Sequence, residues 1–393
     1  MLRKILKLFF ALVLVAGGWT AYSWYGGTLF GPEAVPVAYQ PQTENIQHLT
    51  ITAAGDCLMH NTQIWAGQEG DIFNFDHFFQ DIAPYLLEGQ ITSTCFEAPM
   101  AGAQAVYTGY PLFNSPDAMA DTFKNAGFDI VVTAHNHIMD RGVKGALRTM
   151  EVLESRGLDA LGTYSAAEDG RKPVIKEVSG IKAGYLGYTY STNGIPVPDD
   201  YEYMVNFIDR DKIVADIKDL RPQVDIVILV LHWGVEYTPL PTPEQKEMAR
   251  LFLESGADVI LGSHPHVIQT MEVVNINDEP KFVIYGMGNF ISHQNGQERN
   301  SGIVLKIDFS KDLSTDLTQI EKIDYTPTFS HHYKANGKTR FRVVAIEDTI
   351  QRIRDGQETV FTSQDIPLLQ AVLDDTRKRL GPSWQRSGMA RNE

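Results

Sequence analysis

The chain has 393 residues and carries 49 Asp and Glu side chains against 34 Lys and Arg, for a formal net charge of −15. Its hydrophobic fraction of 43% and aromatic fraction of 10% are those of a globular protein, and they exclude wholesale disorder. The acidic balance argues against a nucleic-acid partner, which would need a basic face, and two cysteines are too few for a disulfide scaffold. These properties leave a large mixed α/β domain.

An apolar segment near the N-terminus follows three basic residues. Residues 8–30 contain no charged side chain, and as a helix they would span ~34 Å, enough to cross a ~30 Å hydrocarbon core. We predict a transmembrane signal anchor at residues 1–30 with its N-terminus in the cytoplasm and the remaining chain outside the cell membrane. A cleaved signal peptide is the alternative. The proline-containing residues 31–48 are predicted to form a linker.

From residue 49 onward, segments typical of strands alternate with segments typical of helices. Short β-rich runs predict strands at residues 49–54, 129–133, 225–231 and 258–261. Helical spacing of apolar residues predicts helices at residues 117–126, 143–156, 211–220 and 243–255. This alternation implies parallel strand pairing in a layered α/β domain. Residues 174–190 and 281–309 have the pattern of strands joined by hairpins, so we expect mixed sheets.

The domain that contains these elements is predicted to cover residues 49–330. Residues 331–393 are assigned to a C-terminal extension with one strand, at residues 339–346, and one helix, at residues 366–380. The last residues, 381–393, are expected to fray.

Five polar clusters lie at the ends of predicted strands, and open α/β sheets hold ligands just beyond the carboxyl ends of their strands. We therefore expect convergence in one pocket for Gly55-Asp56, Cys95-Phe96-Glu97, Ala134-His135-Asn136-His137 with Asp140 and Gly142, His232 to Glu236, and Gly262-Ser263-His264-Pro265-His266. Carboxylates, an amide and imidazoles without lysine suit Zn, Mn or Fe better than Mg or Ca. Each cluster alone has a structural interpretation, such as a turn or a cap, but the combination is what a two-metal hydrolytic site requires.

Six segments make the sequence similar to a known family: GDCLMH, CFEAPM, AHNHIMDRG, HWGVEY, GADVILGSHPHVIQ and YGMGNFISHQ. They resemble the CapA family of capsule synthesis, also called PgsA, whose members are membrane-anchored poly-γ-glutamate biosynthesis proteins. The resemblance covers about residues 49–330 in family order. It implies a calcineurin-like metallophosphatase fold, a four-layer αββα sandwich with mixed sheets.

Carried to this chain, the resemblance implies two metals with Glu97 as the bridge and these ligands: Asp56, Glu97, Asn136, His232, His264 and His266. It also implies that His137 protonates the leaving group and that Asp140 orients a histidine. A cap for the following helix is the other open interpretation of Asp140. Alternation along an extended segment is expected to direct His137 and Asn136 differently.

Four further polar residues are assigned to the substrate pocket: His60, His135, Glu236 and Asn289. Asn289 is expected at the pocket rim, Glu236 is expected to steady the loop after His232, and His135 stands where the family usually has Asn. Metallophosphatases usually begin with Asp-x-His, and this chain lacks that histidine. His60 is a candidate substitute ligand, and simple solvation is the alternative.

The two cysteines, Cys57 and Cys95, flank the implied carboxylate ligands. A disulfide in an oxidising compartment and a thiolate ligand are the functional interpretations. We favour two small buried residues, because free cysteine is commonly buried.

Three classes of function remain open. The first is a cell-surface protein of capsule or poly-γ-glutamate assembly, with two divalent metal ions (Zn, Mn or Fe) and with membrane polymer synthase or export components as partners. The second is a surface metallohydrolase acting on another anionic substrate, such as a phosphoester or a peptide. The third is a non-catalytic scaffold for a membrane synthase. A net charge of −15 disfavours an acidic polymer as ligand unless cations or a local basic group offset it.

Overall fold

The computed structural model describes residues 45–167 and 172–386. All of them belong to the unit Asn45–Glu393, which is separate from Met1–Glu44. The predicted anchor, residues 1–30, lies outside the described residues. Within the described part of the chain, no helix combines the length and the apolar character that a membrane crossing needs.

The four predicted strands are present, with ends within three residues of the expected ones. In chain order they are β1 (Ile46–Cys57), β2 (Gln68–Glu69), β3 (Ile72–Phe73), β4 (Ile91–Phe96), β5 (Ile130–Val132), β6 (Asp159–Leu161), β7 (Val174–Val178), β8 (Ile181–Thr189), β9 (Ile226–His232), β10 (Val259–Ser263), β11 (Met271–Ile276), β12 (Glu279–Ile284), β13 (Asn289–Ile291), β14 (Ser301–Asp312), β15 (Leu317–Ala335), β16 (Lys338–Ala345) and β17 (Trp384–Gln385). The predictions at β1, β5, β9 and β10 are confirmed, and β1 begins inside the expected linker.

The helices agree with the apolar spacing of the sequence. They are α1 (Asn61–Ala66), α2 (Ala83–Leu86), α3 (Ala118–Ala126), α4 (Gly142–Glu154), α5 (Arg210–Leu220), α6 (Pro243–Glu254), α7 (Ile346–Arg354) and α8 (Ile366–Leu380). Local chemistry sets several of these ends. A capping box between Thr242 and Gln245 begins α6, and Gly127, with φ of 97°, ends α3.

The described strands form two large sheets, confirming the layered α/β domain with mixed sheets. The larger has the order β16-β15-β14-β1-β4-β5-β6, with β13 on β1 and β17 on β15, and the smaller has the order β11-β12-β10-β9-β8-β7. Strands β1, β4, β5 and β6 are parallel, as are β8, β9, β10 and β12. The carboxyl ends of these parallel strands are where a ligand site is expected.

Apolar side chains fill three layers between the elements. Ile51 of β1 and Ile228 of β9 belong to one core shared by the two sheets, so the sheets pack face to face. Phe123 of α3 and Leu153 of α4 pack on the outer face of the larger sheet. Phe252 of α6 packs on the outer face of the smaller sheet. The layers therefore follow the order helix, sheet, sheet, helix.

One of the two predicted hairpins needs revision. The hairpin at residues 174–190 is confirmed as β7–β8, but the hairpin at residues 281–309 is wrong. There β12 lies in the smaller sheet, whereas β13 and β14 pair with β1 in the larger one. The chain crosses between the sheets at Gly288, whose φ of 73° allows the turn and whose carbonyl accepts a hydrogen bond from the Asp56 N–H (2.8 Å).

The C-terminal residues complete the larger sheet. The expected boundary at residue 330 falls inside β15, which pairs with β14 on one side and β16 on the other. Phe329 of β15 and Leu369 of α8 share a small apolar core. Residues 331–386 are therefore structurally continuous with the preceding domain.

Candidate metal centre

The carboxyl ends of parallel strands from both sheets lead to one cluster of polar side chains. Asp56 lies near the end of β1 and Glu97 directly follows β4, both in the larger sheet. His232 ends β9, and His264 and His266 follow β10, in the smaller sheet. All five are at most 2% exposed. The cluster thus lies where the two sheets meet, in the place that the strand order predicts.

The two carboxylates of the cluster are only partly satisfied. Asp56 Oδ2 accepts a hydrogen bond from the His264 N–H (3.0 Å) and lies 3.4 Å from His266 Nδ1. Glu97 Oε2 lies 3.8 Å from Nε2 of both His232 and His266. Asp56 Oδ1 and both oxygens of Glu97 are buried without a hydrogen-bond partner among the described residues. Buried carboxylate oxygens without partners are costly, so this donor set fits a divalent cation.

An amide and a hydroxyl flank the imidazole of His232. Its Nε2 lies 3.1 Å from Asn136 Oδ1, and its Nδ1 lies 2.9 Å from Ser263 Oγ. A histidine that binds metal through Nε2 carries its proton on Nδ1, where a neighbouring oxygen accepts it. Ser263, which belongs to the fifth polar cluster of the sequence but was expected to have no role of its own, is placed to be that oxygen.

Atoms that could bind a metal ion fall into three overlapping groups. Each group takes one atom from each of three residues, and the atoms of a group lie within 4.8 Å of one another. The groups are Asp56, Glu97 and His266; Cys95, Glu97 and His232; and Glu236, His264 and His266. Glu97 belongs to two groups, which is the arrangement that a bridging carboxylate needs. Two overlapping positions of this kind fit a pair of cations.

Burial and neighbouring charges shift several pKa values in this cluster. Burial, together with the charges of Asp56 and Glu236, raises the pKa of Glu97 well above its usual range. Burial and the neighbouring imidazole of His266 lower the pKa of His264 to about 3. Burial also opposes the charged form of His266, but Glu97 and Asp56 raise its pKa to about 9.

The His264-Pro265-His266 loop has a strained backbone. His264 has φ of 93° and His266 has φ of 59°, in a region that non-glycine residues rarely occupy. Such residues cost on the order of 1–3 kcal/mol each. Gly262 allows the loop to leave β10, because a Cβ there would lie 2.0 Å from the Tyr285 carbonyl oxygen. The surrounding fold therefore holds both imidazoles in fixed positions.

His137 and Asp140 form a pair beside the cluster. His137 Nδ1 lies 2.9 Å from Asp140 Oδ2, which also accepts a hydrogen bond from the Phe113 N–H (2.7 Å). The N-cap of α4 is Arg141, and no side chain caps that helix. The interpretation of Asp140 as a helix cap is therefore wrong, and its carboxylate instead fixes the ring of His137.

The segment that carries Asn136 and His137 is a turn and not the extended segment that we expected. The Ile138 N–H donates to the His135 carbonyl (3.2 Å) and the Asp140 N–H donates to the His137 carbonyl (3.1 Å). The turn still separates the two side chains, since Asn136 faces His232 and His137 faces Asp140.

The assigned pocket residues lie at different depths. His135 and Asn289 are both 0% exposed, so neither lies at the rim. His135 Nδ1 accepts a hydrogen bond from the His137 N–H (3.1 Å), and Asn289 Oδ1 lies 3.1 Å from His266 Nδ1. Both residues are enclosed by the protein and contact site histidines through hydrogen-bonding atoms. Glu236 joins His264 and His266 in one potential ligand group.

His60 does not join the potential ligand groups of the described residues. It is the N-cap of α1, with Nδ1 3.2 Å from Gln63 Oε1, and the same nitrogen accepts a hydrogen bond from the His293 N–H (3.3 Å). Burial lowers its pKa to about 4, although Gln63 acts in the opposite direction. The Nδ1 atom of His60 is therefore engaged at the start of α1.

The cysteines are both free and buried, as we favoured. Cys57 Sγ lies 3.3 Å from Thr94 Oγ1, and Cys95 Sγ lies 3.7 Å from His232 Nδ1. Burial raises the pKa of both thiols. Cys95 is nevertheless close enough to the cluster to belong to one potential ligand group.

The sequence analysis missed three residues over the cluster. The Tyr190 ring centroid lies 4.5 Å from that of His264, and the Tyr237 ring centroid lies 5.8 Å from that of His266. Asn193 accepts from Asn136 Nδ2 (3.2 Å) and places its own Nδ2 3.4 Å from His137 Nε2. Tyr190 and Asn193 follow β8, so the rule that selects residues after parallel strands could have found both.

Comparison with known proteins places these residues in a family. Residues 50–294 match the family described as bacterial capsule synthesis protein PGA_cap. The capsule biosynthesis protein CapA of Bacillus anthracis is 27% identical over 296 residues, covering 72% of this chain and 66% of that protein. The PGA biosynthesis protein CapA of Bacillus subtilis (strain 168) is 29% identical over 227 residues, covering 57% of this chain and 52% of that protein. The matches thus span about two thirds and about half of these relatives.

Among solved structures, the chain is similar to the NAD nucleotidase NadN of Haemophilus influenzae, with a TM-score of 0.48, 13% identity, and coverage of 87% of this chain and 58% of that one. It is also similar to a phosphatase from Mycoplasma pneumoniae, with a TM-score of 0.44, 12% identity, and coverage of 72% and 94%. The matched residues 50–294 make up more than half of the chain and include every implied metal ligand. The chain belongs to the bacterial capsule synthesis protein PGA_cap family.

Proposed function

We propose that this protein is a metal-dependent hydrolase of capsule or poly-γ-glutamate assembly, acting on an anionic polymer or an intermediate of its synthesis. Family membership supports the process, because the matched relatives carry the names of capsule and PGA biosynthesis proteins. One observation carries the proposal of chemistry. Asp56 and Glu97 carry buried oxygens without hydrogen-bond partners among the described residues and lie beside two imidazoles, those of His232 and His266, and a histidine held by a carboxylate lies beside them.

Six residues would hold one or two ions of Zn, Mn or Fe: Asp56, Glu97, Asn136, His232, His264 and His266. Divalent cations in hydrolytic sites stabilise developing negative charge and activate water. The chain itself supplies the proton handling. Asp140 accepts from His137 Nδ1, which leaves Nε2 as the atom that can hold a proton for a leaving group.

The proposal includes a location at the outer face of the cell membrane. It rests on the sequence of residues 1–30, three basic residues followed by an uncharged apolar segment. A domain tethered there would reach membrane synthase and export components of capsule assembly. Protease added to intact spheroplasts should cut residues 49–393, and protection of that domain while a known surface protein is cut would contradict this location.

The test of the hydrolase uses His137→Ala. A general acid contributes ~10²–10⁴-fold to rate but little to folding, so hydrolysis of a model phosphoester or of polymer should fall by that factor. Metal content by elemental mass spectrometry and the melting temperature should stay unchanged. His48→Ala, which removes an exposed imidazole from β1, is the matched control.

The same variant separates hydrolase from scaffold. A scaffold needs no proton donor, so His137→Ala would support normal polymer levels at normal expression. That result would contradict the proposed chemistry. A panel of phosphoesters, peptides and γ-linked glutamate oligomers would show which bond the metal-loaded domain cleaves, and it would separate capsule assembly from another anionic substrate.

A further inference from the structure

One arginine contacts an aromatic ring at the metal centre and has no carboxylate partner among the described residues. Arg299 belongs to the short 3-10 turn Gln297–Asn300 between β13 and β14. Its guanidinium carbon lies 4.1 Å from the centroid of the Tyr237 ring. The other contact of that ring is with His266, at 5.8 Å between centroids. Arg299 thus contacts an aromatic ring that also contacts an implied metal ligand.

The guanidinium of Arg299 keeps its hydrogen-bonding capacity. Within residues 45–167 and 172–386, the structure records no ion pair or side-chain hydrogen bond for it. Neighbouring arginines differ. Arg379 pairs with Glu298 (3.0 Å) and Asp375 (2.7 Å), and Arg141 donates to the carbonyls of Phe113 (3.0 Å) and Leu112 (2.9 Å). In a chain of net charge −15, an unpaired guanidinium beside a catalytic cluster calls for an anionic partner.

The backbone of Arg299 is fixed to the cluster. Its carbonyl oxygen accepts a hydrogen bond from Asn289 Nδ2 (2.7 Å), and Asn289 Oδ1 lies 3.1 Å from His266 Nδ1. The ion pair between Arg379 and Glu298 joins the same turn to α8. These contacts hold the turn in one place relative to His266, so the position of the guanidinium is built by the fold.

The charges around the cluster explain why an arginine is needed there. Asp56, Glu97 and Glu236 bring three carboxylates to the site, and they repel an anionic substrate wherever metal charge does not compensate them. A guanidinium binds a carboxylate or a phosphate through two parallel N–H groups, with both charge and geometry. The contact with the face of Tyr237 uses none of the N–H groups of the guanidinium.

We propose that Arg299 binds an oxyanion of the substrate, the free carboxylate of a γ-linked glutamate unit, and so positions the adjacent bond over the metal centre. This proposal rests on the proposed function and names the group that selects an anionic substrate. A phosphate presents the same chemistry to the guanidinium, so the test uses both anions.

Binding by metal-loaded protein tests this role without requiring turnover. Titration calorimetry would measure the affinity for tri-γ-glutamate and for inorganic phosphate. Arg299→Gln should weaken tri-γ-glutamate binding about 10- to 100-fold, the usual effect of losing a charge-assisted pair. Arg299→Lys, which keeps the charge without the planar fork, should recover part of the loss. An uncharged amidated tripeptide should bind wild type and Arg299→Gln alike.

The control is Arg250→Gln, which removes the same charge from a side chain that is 75% exposed on α6. It should change neither affinity by more than about twofold. Equal affinity of wild type and Arg299→Gln for tri-γ-glutamate would overturn the proposal. So would the absence of binding to wild type, or loss of metal from both Arg299 variants, which would make the residue structural. A preference for phosphate alone would overturn the choice of a carboxylate.

The test of Arg299 can fail independently of the test of the proposed hydrolase. If His137→Ala keeps full hydrolysis while Arg299→Gln loses anion binding, the assignment of the acid fails and the anion site remains. If hydrolysis depends on His137 while Arg299→Gln binds normally, the hydrolase remains and the role of Arg299 fails.

Discussion

The two ends of strands β9 and β10 both carry buried charge, but only one end balances it. At the amino ends, the carboxylate of Asp258 accepts from Arg221 (2.5 Å) and Lys281 (2.7 Å). At the carboxyl ends, Glu97 faces the imidazole of His232 at 3.8 Å and neither of its oxygens has a hydrogen-bond partner among the described residues. The amino ends of these strands therefore lie at a satisfied cluster, in which the carboxylate has its cationic partners. The carboxyl ends lie at an unsatisfied cluster, in which the carboxylate oxygens lack hydrogen-bond partners among the described residues.

This difference separates folding from function within one domain. A buried carboxylate with cationic partners belongs to the structure, and removing it leaves those cations without a counter-charge. A buried carboxylate without partners lowers stability and is retained for what it binds. Comparable substitutions at the two ends should consequently have opposite effects.

The largest expected effect is on metal content. His264→Ala combined with His266→Ala removes two imidazoles from the unsatisfied end, and each takes part in at least one potential ligand group. Metal measured by elemental mass spectrometry should fall at least about tenfold. His331→Ala with His332→Ala, on β15, is the matched control and should keep its metal. Unchanged metal in the first variant would remove the ligand assignment.

At the satisfied end, Asp258→Ala should reduce stability strongly. The carboxylate also accepts from the Val227 N–H (2.7 Å). Its removal therefore leaves Arg221, Lys281 and this backbone N–H without their shared acceptor. We expect the free energy of unfolding to fall by about 3 kcal/mol in urea titrations, with metal content unchanged. Glu247→Ala, whose side chain is 67% exposed on α6, should change it by less than about 0.5 kcal/mol.

The opposite sign is expected for Glu97→Gln. In chelator-treated protein the neutral amide avoids burying an unpaired charge, so the free energy of unfolding should rise by about 1–2 kcal/mol. The same variant should bind metal less tightly, and metal should then stabilise it less than wild type. Thermal unfolding with and without chelator measures both effects. A loss of stability in the chelated variant would mean that Glu97 has a structural partner, and Glu244→Gln, 72% exposed, gives the baseline.

The sequence predicted the unsatisfied end better than most of the remaining structure. Asp56, Glu97, His232, His264 and His266 each lie at or just after a parallel strand, and parallel strands bring such positions together whatever the loop details. The same reasoning could not find Arg299. It lies before the antiparallel strand β14, and only the crossing of the chain from one sheet to the other brings it over Tyr237.

The prediction of a hairpin at residues 281–309 failed for a related reason, because the sequence does not show how the chain crosses between the sheets. Short β-rich runs in sequence indicate strands but not the sheet that each one joins. Which sheet β13 joins is decided at Gly288, where a positive φ and a hydrogen bond to Asp56 fix the path. A pattern of apolar residues does not encode such a contact between distant segments.

A third buried carboxylate extends the comparison with the smallest expected effect. The side chain of Glu358 is 0% exposed and pairs with Arg342 (2.8 Å) and Arg352 (3.0 Å), while its other oxygen accepts from three backbone N–H groups at positions 359, 360 and 361. Burial opposes its ionisation, but Arg342 and the backbone donors outweigh that effect and lower its pKa to about 2.

The sign of the pH dependence follows from this depressed pKa. Glu358 stabilises the fold fully above its ordinary pKa of 4.5, and the contribution is lost as the pH falls from there towards about 2. Since Arg352 is 36% exposed, we expect a contribution of only about 1 kcal/mol. Urea unfolding of chelated wild type and Glu358→Gln should differ by that amount at pH 6 and converge near pH 2.5. A difference that stays constant over this range would show that Glu358 acts through packing and not through charge, and the satisfied carboxylates would then need another explanation.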